Sequence, residues 1–361
     1  MPKRKTSSVD SDTFLIDNAS NPSPKISPTR LLNFVLRERL RWVTDVTRVK
    51  KCGKVTHSPI SLHLKGGKAY FKGFTTCGNV HLCPVCSSKI LAWRTKEAIY
   101  AARRWFKKGG GIAVVTFTIP NAPGPLRTQL DGLQKCWEAV REGKAGQEFK
   151  KAFSSVGHLV TVETKYSKQS GWHPHLHIRF FFESEPDQKL LNEWFVKATA
   201  RWIARAVKLG LGKASPQAQK LQVVQRSPKD FEDALSYAFK DAITGAEVKG
   251  LSGSLTMTEV LKGALDGDKT YLSAWKDYEK ATYRKNKTRY SGKLKAALGI
   301  VEKSDGTILE EPYMIEITPM SVAYLTKDPQ LQARILTAAE LGGLEEAAWF
   351  MNNNGIDFNL S

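Results

Sequence analysis

No apolar run in this chain approaches the roughly 20 residues that a membrane-crossing helix needs, so no helical membrane anchor is expected. The N-terminus lacks the apolar core of a signal peptide, and the expected location is cytoplasmic. Cysteine is scarce. The five residues Cys52, Cys77, Cys83, Cys86 and Cys136 are too few and too unevenly placed for a disulfide framework. Acidic residues are outnumbered: 35 Asp and Glu face 55 Lys and Arg, a formal charge of +20 spread over several segments. Such an excess points to a polyanionic partner, nucleic acid first. No internal repeat is visible. What the chain does have is 41% hydrophobic residues and nine tryptophans among 361 residues, which indicates packed domains rather than a purely structural basic protein.

Four of the five cysteines lie in one short region. Cys83-Pro84-Val85-Cys86 is a CxxC knuckle, Cys77 precedes it in the same loop, and Cys52 lies a strand or two earlier. A lone CxxC is also a redox motif, but four thiolates in one region suit a closed, structural Zn²⁺ site. His81 could replace one thiolate, with His57 and His63 as weaker substitutes. Cys136 falls within an expected helix and reads as a buried thiol.

The chain divides into four expected parts. Residues 1–30, rich in Ser, Pro, Asn, Lys and Asp, read as a disordered tail with a basic tip. Residues 31–108 combine a helix over 31–51, the cysteine-rich region and an amphipathic helix over 87–106. Gly109-Gly110-Gly111 then breaks the chain. Residues 109–245 alternate strands (112–119, 157–166, 173–182, 221–226) with helices from 126, from 184 (with Ser184 as cap) to about 209, and from 228. Residues 246–361 form a basic, partly helical C-terminal region in which Arg284, Lys287 and Arg289, next to Tyr290, suit a nucleic-acid contact. The fold class is α+β: the order β-α-β-β-α-β-α fits an antiparallel, ferredoxin-like sheet with helices on one face.

The most informative stretch is Gly171–Phe182, GWHPHLHIRFFF. Alternate side chains on a strand share a face. His173, His175 and His177 therefore form a row, while Leu176 and Ile178 face the core. With a turn at 167–171, the preceding strand places Glu163 opposite His175, where Cβ atoms lie ~5 Å apart. Glu163, His175 and His177 can then hold one divalent ion with positions left open. That donor set suits Mg²⁺ or Mn²⁺ acting on a phosphate oxygen. A one-residue slip in register would turn Glu163 to the other face. His173 shares the row and is a candidate to support the ligands or contact DNA. Arg179 is a further DNA-contact candidate.

A second constellation lies in the helix expected over 228–240. Phe231, Ala234, Leu235 and Ala238 mark its apolar face. Asp233, Tyr237 and Lys240 fall within a sector of roughly 60° on the opposite side. A phenol can act as nucleophile if a metal or cation offsets its pKa of about 10. Lys240 can steady the phenolate or the phosphate, and Asp233 can handle a proton. Together with the metal row this gives a mechanism: Tyr237 attacks a DNA phosphate in line, leaving a 5′-phosphotyrosine and a free 3′-OH, and the retained bond energy allows rejoining.

These residues resemble the HUH endonucleases (His-hydrophobe-His), above all the rolling-circle plasmid replication initiators with one catalytic tyrosine. His175-Leu176-His177 is similar to the HUH motif itself, within a longer HPHLH. Val115–Asn121 (VTFTIPN) resembles the first family motif, and Asp233–Lys240 (DALSYAFK) the third. The cysteine knuckle and Arg289–Gly292 resemble flanking segments, so the likeness spans roughly 77–295. It implies that Tyr237 cuts an origin, that His175, His177 and Glu163 bind the metal, and that origin DNA, a host helicase and a DNA polymerase are partners. In such initiators a Glu four residues before the tyrosine activates the nucleophile that ends a round. Here that position is Asp233, with Glu232 as the alternative base. Tyr237 follows the histidine strand, the order of initiators rather than of transfer relaxases. The competing readings are a single-strand transposase of HUH type and, from another class, a non-catalytic zinc-containing DNA-binding regulator.

Overall fold

A computed structural model describes residues 28–55, 59–65, 67–224, 254–300 and 314–360. Its strands are β1 (Ile60–Lys65), β2 (Lys68–Lys72), β3 (Gly111–Thr118), β4 (Ser155–Ser167), β5 (Gly171–Phe182), β6 (Lys220–Val223), β7 (Thr288–Tyr290), β8 (Met314–Ile317) and β9 (Phe358–Leu360). The helices are α1 (Pro28–Leu40), α2 (Thr47–Lys50), α3 (Pro84–Lys107), α4 (Leu126–Arg141), α5 (Gly143–Ala152), α6 (Gln188–Lys208), α7 (Met257–Leu265), α8 (Lys269–Thr282), α9 (Leu294–Ala297), α10 (Pro319–Leu325) and α11 (Pro329–Asn353).

The central sheet has the order β6-β3-β5-β4-β7, with every neighbouring pair antiparallel. Strand β5 thus inserts between β3 and β4, which helices α4 and α5 connect, and β6 closes the far side of β3. This is a split β-α-β arrangement with β7 added at one edge. The longest pairing is the β4–β5 hairpin, whose ladder starts at Ser167 and Gly171. Gly171 has φ 79°, and a Cβ there would lie 2.3 Å from the Ala122 carbonyl oxygen, so this turn needs glycine.

One face of the sheet is apolar along its whole length. Val115, Phe117, Leu176, Ile178, Phe180 and Phe182 pack against Leu133, Trp137 and Val140 of α4 and against Leu191, Ala198 and Trp202 of α6. Each such buried side chain contributes about 1.5–3 kcal/mol. Trp202 also donates from Nε1 to the Thr118 carbonyl at 2.8 Å, tying α6 to the end of β3. The other face carries the histidines, and helices were expected on one face only. The structure corrects this. Ile112, Leu159 and Phe181 lie at the far end of the histidine face, and Leu91, Ala98, Ala101 and Ala102 of α3 cover them. Apolar residues on both faces at that end demand two covers, whereas the histidine end lacks them.

A second, four-stranded antiparallel sheet, β2-β1-β8-β9, lies outside the expected layout. It joins the two ends of the described chain in one core, with Leu36, Leu40, Ile60 and Leu62 packed with Ile315, Ile335 and Phe350. Arg30 adds a two-pronged ion pair to Glu340 at 2.7 and 2.8 Å. The single helix expected over 31–51 is broken in two. Buried Glu279 of α8 accepts from the Thr44 hydroxyl and the Asp45 backbone N–H, fixing a non-helical link between α1 and α2. Helix α6 is capped by Asp187, whose Oδ1 accepts from the Leu190 N–H at 2.9 Å, rather than by Ser184.

Candidate functional site

Strand β5 presents His173, His175 and His177 on one face, and β4 brings Glu163 directly opposite His175. Glu163 Oε2 lies 2.7 Å from His175 Nε2 and 2.9 Å from His177 Nε2. The ligand-capable atoms of the three residues all fall within 4.8 Å of one another. Two imidazole nitrogens and a carboxylate oxygen converging in this way fit a divalent ion bound from one side.

The histidine orientations are fixed from behind. Thr116 of β3 pairs with His177, and its Oγ1 lies 3.1 Å from His177 Nδ1, leaving Nε2 toward Glu163. Such outer partners set the tautomer of a metal-binding histidine. His173 turns away: its Nε2 lies 2.6 Å from Thr118 Oγ1. Lys165, opposite His173, places Nζ 3.3 Å from Glu163 Oε1. Burial pushes His177 down to about 4 despite the opposing pull of Glu163, and burial together with His175 does the same to His173. Both rings are then neutral near pH 7, the form that ligates metals. Thr116, Thr118 and Lys165 had no assigned role in the sequence. Lys165 shares the odd parity of Glu163 on β4, and the threonines alternate with Val115 and Phe117 on β3; that alternation was the available signal.

The four cysteines meet as a second centre. Sγ of Cys52 is 3.6 Å from those of Cys83 and Cys86, and Cys77 is 3.6 Å from Cys86. A tetrahedron with Zn–S of about 2.3 Å has edges of about 3.8 Å, so these spacings fit zinc. Cys83 and Cys86 sit at the start of α3, where the helix dipole favours thiolates. Hydrogen bonding from Cys52 first, then from Cys77 and Cys83, holds the Cys86 thiol well below the usual range. Gly53 and Gly78, each following a cysteine of the cluster, adopt φ 76° and 59° and turn the chain around the centre. His81 is not part of this cluster. Its Nε2 lies 3.0 Å from the Lys285 carbonyl and its Nδ1 3.4 Å from the Tyr278 hydroxyl. His63 stacks on Tyr70 inside the β1–β2 pair, and His57 lies outside the described residues. Cys136 is buried in α4.

Among the DNA-contact candidates, Arg179 requires correction. It is fully buried beneath the histidine face, donating from Nη1 to Thr161 Oγ1 at 3.2 Å. Burial lowers its pKa to about 10. Being long and basic, it read as a surface residue, yet the cover over the far end of this face seals it off. Arg284 is exposed with φ 54° and lies over the Tyr283 ring, 5.2 Å from its centroid. Arg289 hydrogen-bonds Gln134, and the Lys287 carbonyl accepts from the Val162 N–H at 2.9 Å. Lys287 and Arg289 border a cavity of about 150 Å³ that reaches Glu163. Arg284 borders a groove of about 960 Å³ with Arg48, Arg94, Lys280 and Lys285 beside the cysteine centre. Tyr237, Asp233, Lys240 and Glu232 lie outside the described residues.

Fold and site together define a basic α+β protein with antiparallel sheets, a two-histidine, one-carboxylate group with the donors for a metal ion, and a four-cysteine cluster. The chain is similar to "Protein rep" of Streptomyces lividans, 23% identical over 300 residues, covering 65% of this chain and 66% of that protein. It is also similar to "Neomycin resistance protein" of Streptomyces cyanogenus, 28% identical over 136 residues, 31% of each chain. The chain thus spans about two thirds of the first relative and about a third of the second. These similarities support the resemblance to plasmid Rep-type proteins drawn from the motifs. No family model and no solved structure matches the chain.

Proposed function

We propose that this chain is a rolling-circle plasmid replication initiator of the HUH type, which nicks one strand of an origin and later rejoins it. The observation that carries the reading is the convergence of His175, His177 and Glu163 from two paired strands. The relative named Protein rep supports a replication role, and the +20 charge supports a DNA partner.

A divalent ion, Mg²⁺ or Mn²⁺, held there would polarise a phosphate oxygen and offset charge developing on it. His175, His177 and Glu163 present the ligands, and Thr116 orients His177. Tyr237 supplies the nucleophilic oxygen. Its bond to phosphorus forms as the bond to the 3′ oxygen breaks, the phenolic proton passes to Asp233, and the leaving oxygen takes up a proton to become a free 3′-OH. Lys240 offsets phosphate charge. Attack by a 3′-OH on the phosphotyrosine reverses the step and rejoins the strand. Cys52, Cys77, Cys83 and Cys86 would hold a structural Zn²⁺. Origin DNA is the substrate, with a host helicase and DNA polymerase acting after the nick in the cytoplasm.

The test is an SDS-stable protein–DNA adduct formed with Mn²⁺ and single-stranded oligonucleotides from the adjoining DNA. The adduct should be absent in Tyr237→Phe and in His177→Ala. Cleavage that survives Tyr237→Phe removes the nucleophile assignment.

A further inference from the structure

A cavity of about 350 Å³ opens on the apolar side of the central sheet, between α4, α5 and the start of β4. Its size is that of a small-ligand site. It lies on the opposite sheet face from Glu163 and His175, and five residues away along β4. Its walls are aromatic. Phe149 and Trp194 have ring centroids 4.4 Å apart, Phe180 lies 5.5 Å from Trp194, and Trp137 meets His158 edge-on at 5.2 Å.

Several observations separate this space from an ordinary packing gap. Its lining residues include Arg141, Lys150 and Lys293 but no Asp or Glu. The His158 imidazole makes no hydrogen bond among the described residues, although it shares its face of β4 with the apolar Val160 and Val162. Burial, then Arg141 and Lys150, push that imidazole down to about 4, so near pH 7 it offers one donor and one acceptor. Trp194 Nε1 is buried and has no acceptor among the described residues. The backbone is irregular at the same place: Ser154 has φ 45°, and the β4–β5 register shifts between Ser155 and Gly157. Bulges and positive φ at non-glycine residues concentrate beside binding sites.

Flat aromatic walls, two uncommitted hydrogen-bonding groups and a cationic rim, in which Arg141 is ion-paired with Glu142 at 2.7 Å while Lys150 and Lys293 are exposed, fit a flat heteroaromatic ring attached to an anion. We propose that this cavity binds one unpaired nucleobase together with its phosphate, so that the chain grips single-stranded DNA at a second point on the far side of the sheet from the metal-ligating residues. The base stacks among Trp137, Phe149 and Trp194, its edge meets His158 and the Trp194 N–H, and the phosphate faces Arg141, Lys150 and Lys293. The choice of DNA rather than a free nucleotide rests on the proposed nickase function; the ring-plus-phosphate chemistry does not.

The test is photocrosslinking in EDTA, where no metal-dependent cleavage contributes, with single-stranded oligonucleotides carrying 5-iododeoxyuridine. The crosslinked peptides should contain Trp137, Phe149, His158 or Trp194. His158→Ala and the exposed pair Lys150→Glu/Lys293→Glu should each weaken oligonucleotide binding roughly tenfold while keeping the thermal midpoint. Competition by dGMP as effective as by oligonucleotide would assign the same site to free nucleotides. Crosslinks confined to other peptides, or variants that bind within twofold of the original, would overturn the proposal. Equal competition by a fully paired duplex would do so as well. Two further outcomes separate the two readings: nicking retained in Tyr237→Phe removes only Tyr237 as the nucleophile, and intact crosslinking with no nicking by the unaltered protein in Mn²⁺ removes only the nickase reading.

Discussion

Glu163 and His175 face each other across the β4–β5 hairpin, and Glu163 Oε2 lies within 2.9 Å of the Nε2 atoms of both His175 and His177. Two imidazole nitrogens and a carboxylate drawn to one point suit a divalent cation by their donor chemistry. Glu163→Ala should therefore weaken Mn²⁺ binding about 100-fold in calorimetry, with Glu163→Gln intermediate. Unchanged affinity in Glu163→Ala would remove the carboxylate from the ligand set.

Thr116 acts on the same centre from behind, through His177 Nδ1. Thr116→Val keeps the shape and deletes the hydrogen bond. Loss of such a partner typically costs 10- to 100-fold in affinity, so about a tenfold loss of Mn²⁺ affinity is expected. Thr118→Val, which touches His173 instead, should change affinity less than threefold. Equal effects of the two changes would argue against this division of roles.

The cysteine centre makes a prediction about metal content and folding. Cys83→Ser and Cys86→Ser should each lower zinc from about one per chain toward none by elemental analysis. Chelators should lower the thermal midpoint of the unaltered protein, because metal binding and folding are coupled in such sites. Full zinc retention in both variants would exclude the centre as the zinc site.

Stability should fall on mild acidification. Burial lowers both His81 and His158 from 6.5 to about 4. Between those values the unfolded chain carries more protons than the folded one, so stability is retained above pH 6.5 and lost as pH drops toward 4. Each histidine contributes at most about 1.4 kcal/mol per pH unit. Thermal melts from pH 7 to 5 should show this slope, and His158→Gln should reduce it; an unchanged slope in that variant would rule out His158 as a contributor.

The start of α6 separates two capping residues. Asp187→Ala should cost about 1 kcal/mol, because it orphans the Leu190 N–H. Ser184→Ala should leave the denaturation midpoint within experimental error. The reverse result would restore Ser184 as the cap.

The metal row was readable because it depends on local rules. Alternation placed the three histidines on one face, and the turn at 167–171 fixed the register that put Glu163 opposite His175. The strands at 112–119 and 173–182 and the helix from 126 were legible from the same apolar periodicity. The second sheet was not, since β1 finds its partner β8 about 250 residues away and no local pattern encodes that pairing. The burial of Arg179 was hidden for a related reason. It shares the parity of the histidines, and only the packing of α3 against Leu159 and Phe181 shows that this end of the face is closed. Helix α7 did announce itself: Thr256 and Glu259 form a reciprocal capping box. The surrounding positive charge drew attention to DNA contacts instead.

The central claim is covalent transfer of a DNA strand to Tyr237 under control of the His175, His177 and Glu163 site. Its most direct measurement is tandem mass spectrometry of the nuclease-trimmed adduct made with Mn²⁺ and single-stranded origin DNA. The account predicts a nucleotide joined through its 5′ phosphate to Tyr237 and a matching fragment ending in a free 3′-OH. An adduct on another residue, or cut DNA with a free 5′ phosphate and no protein-linked product, would contradict it.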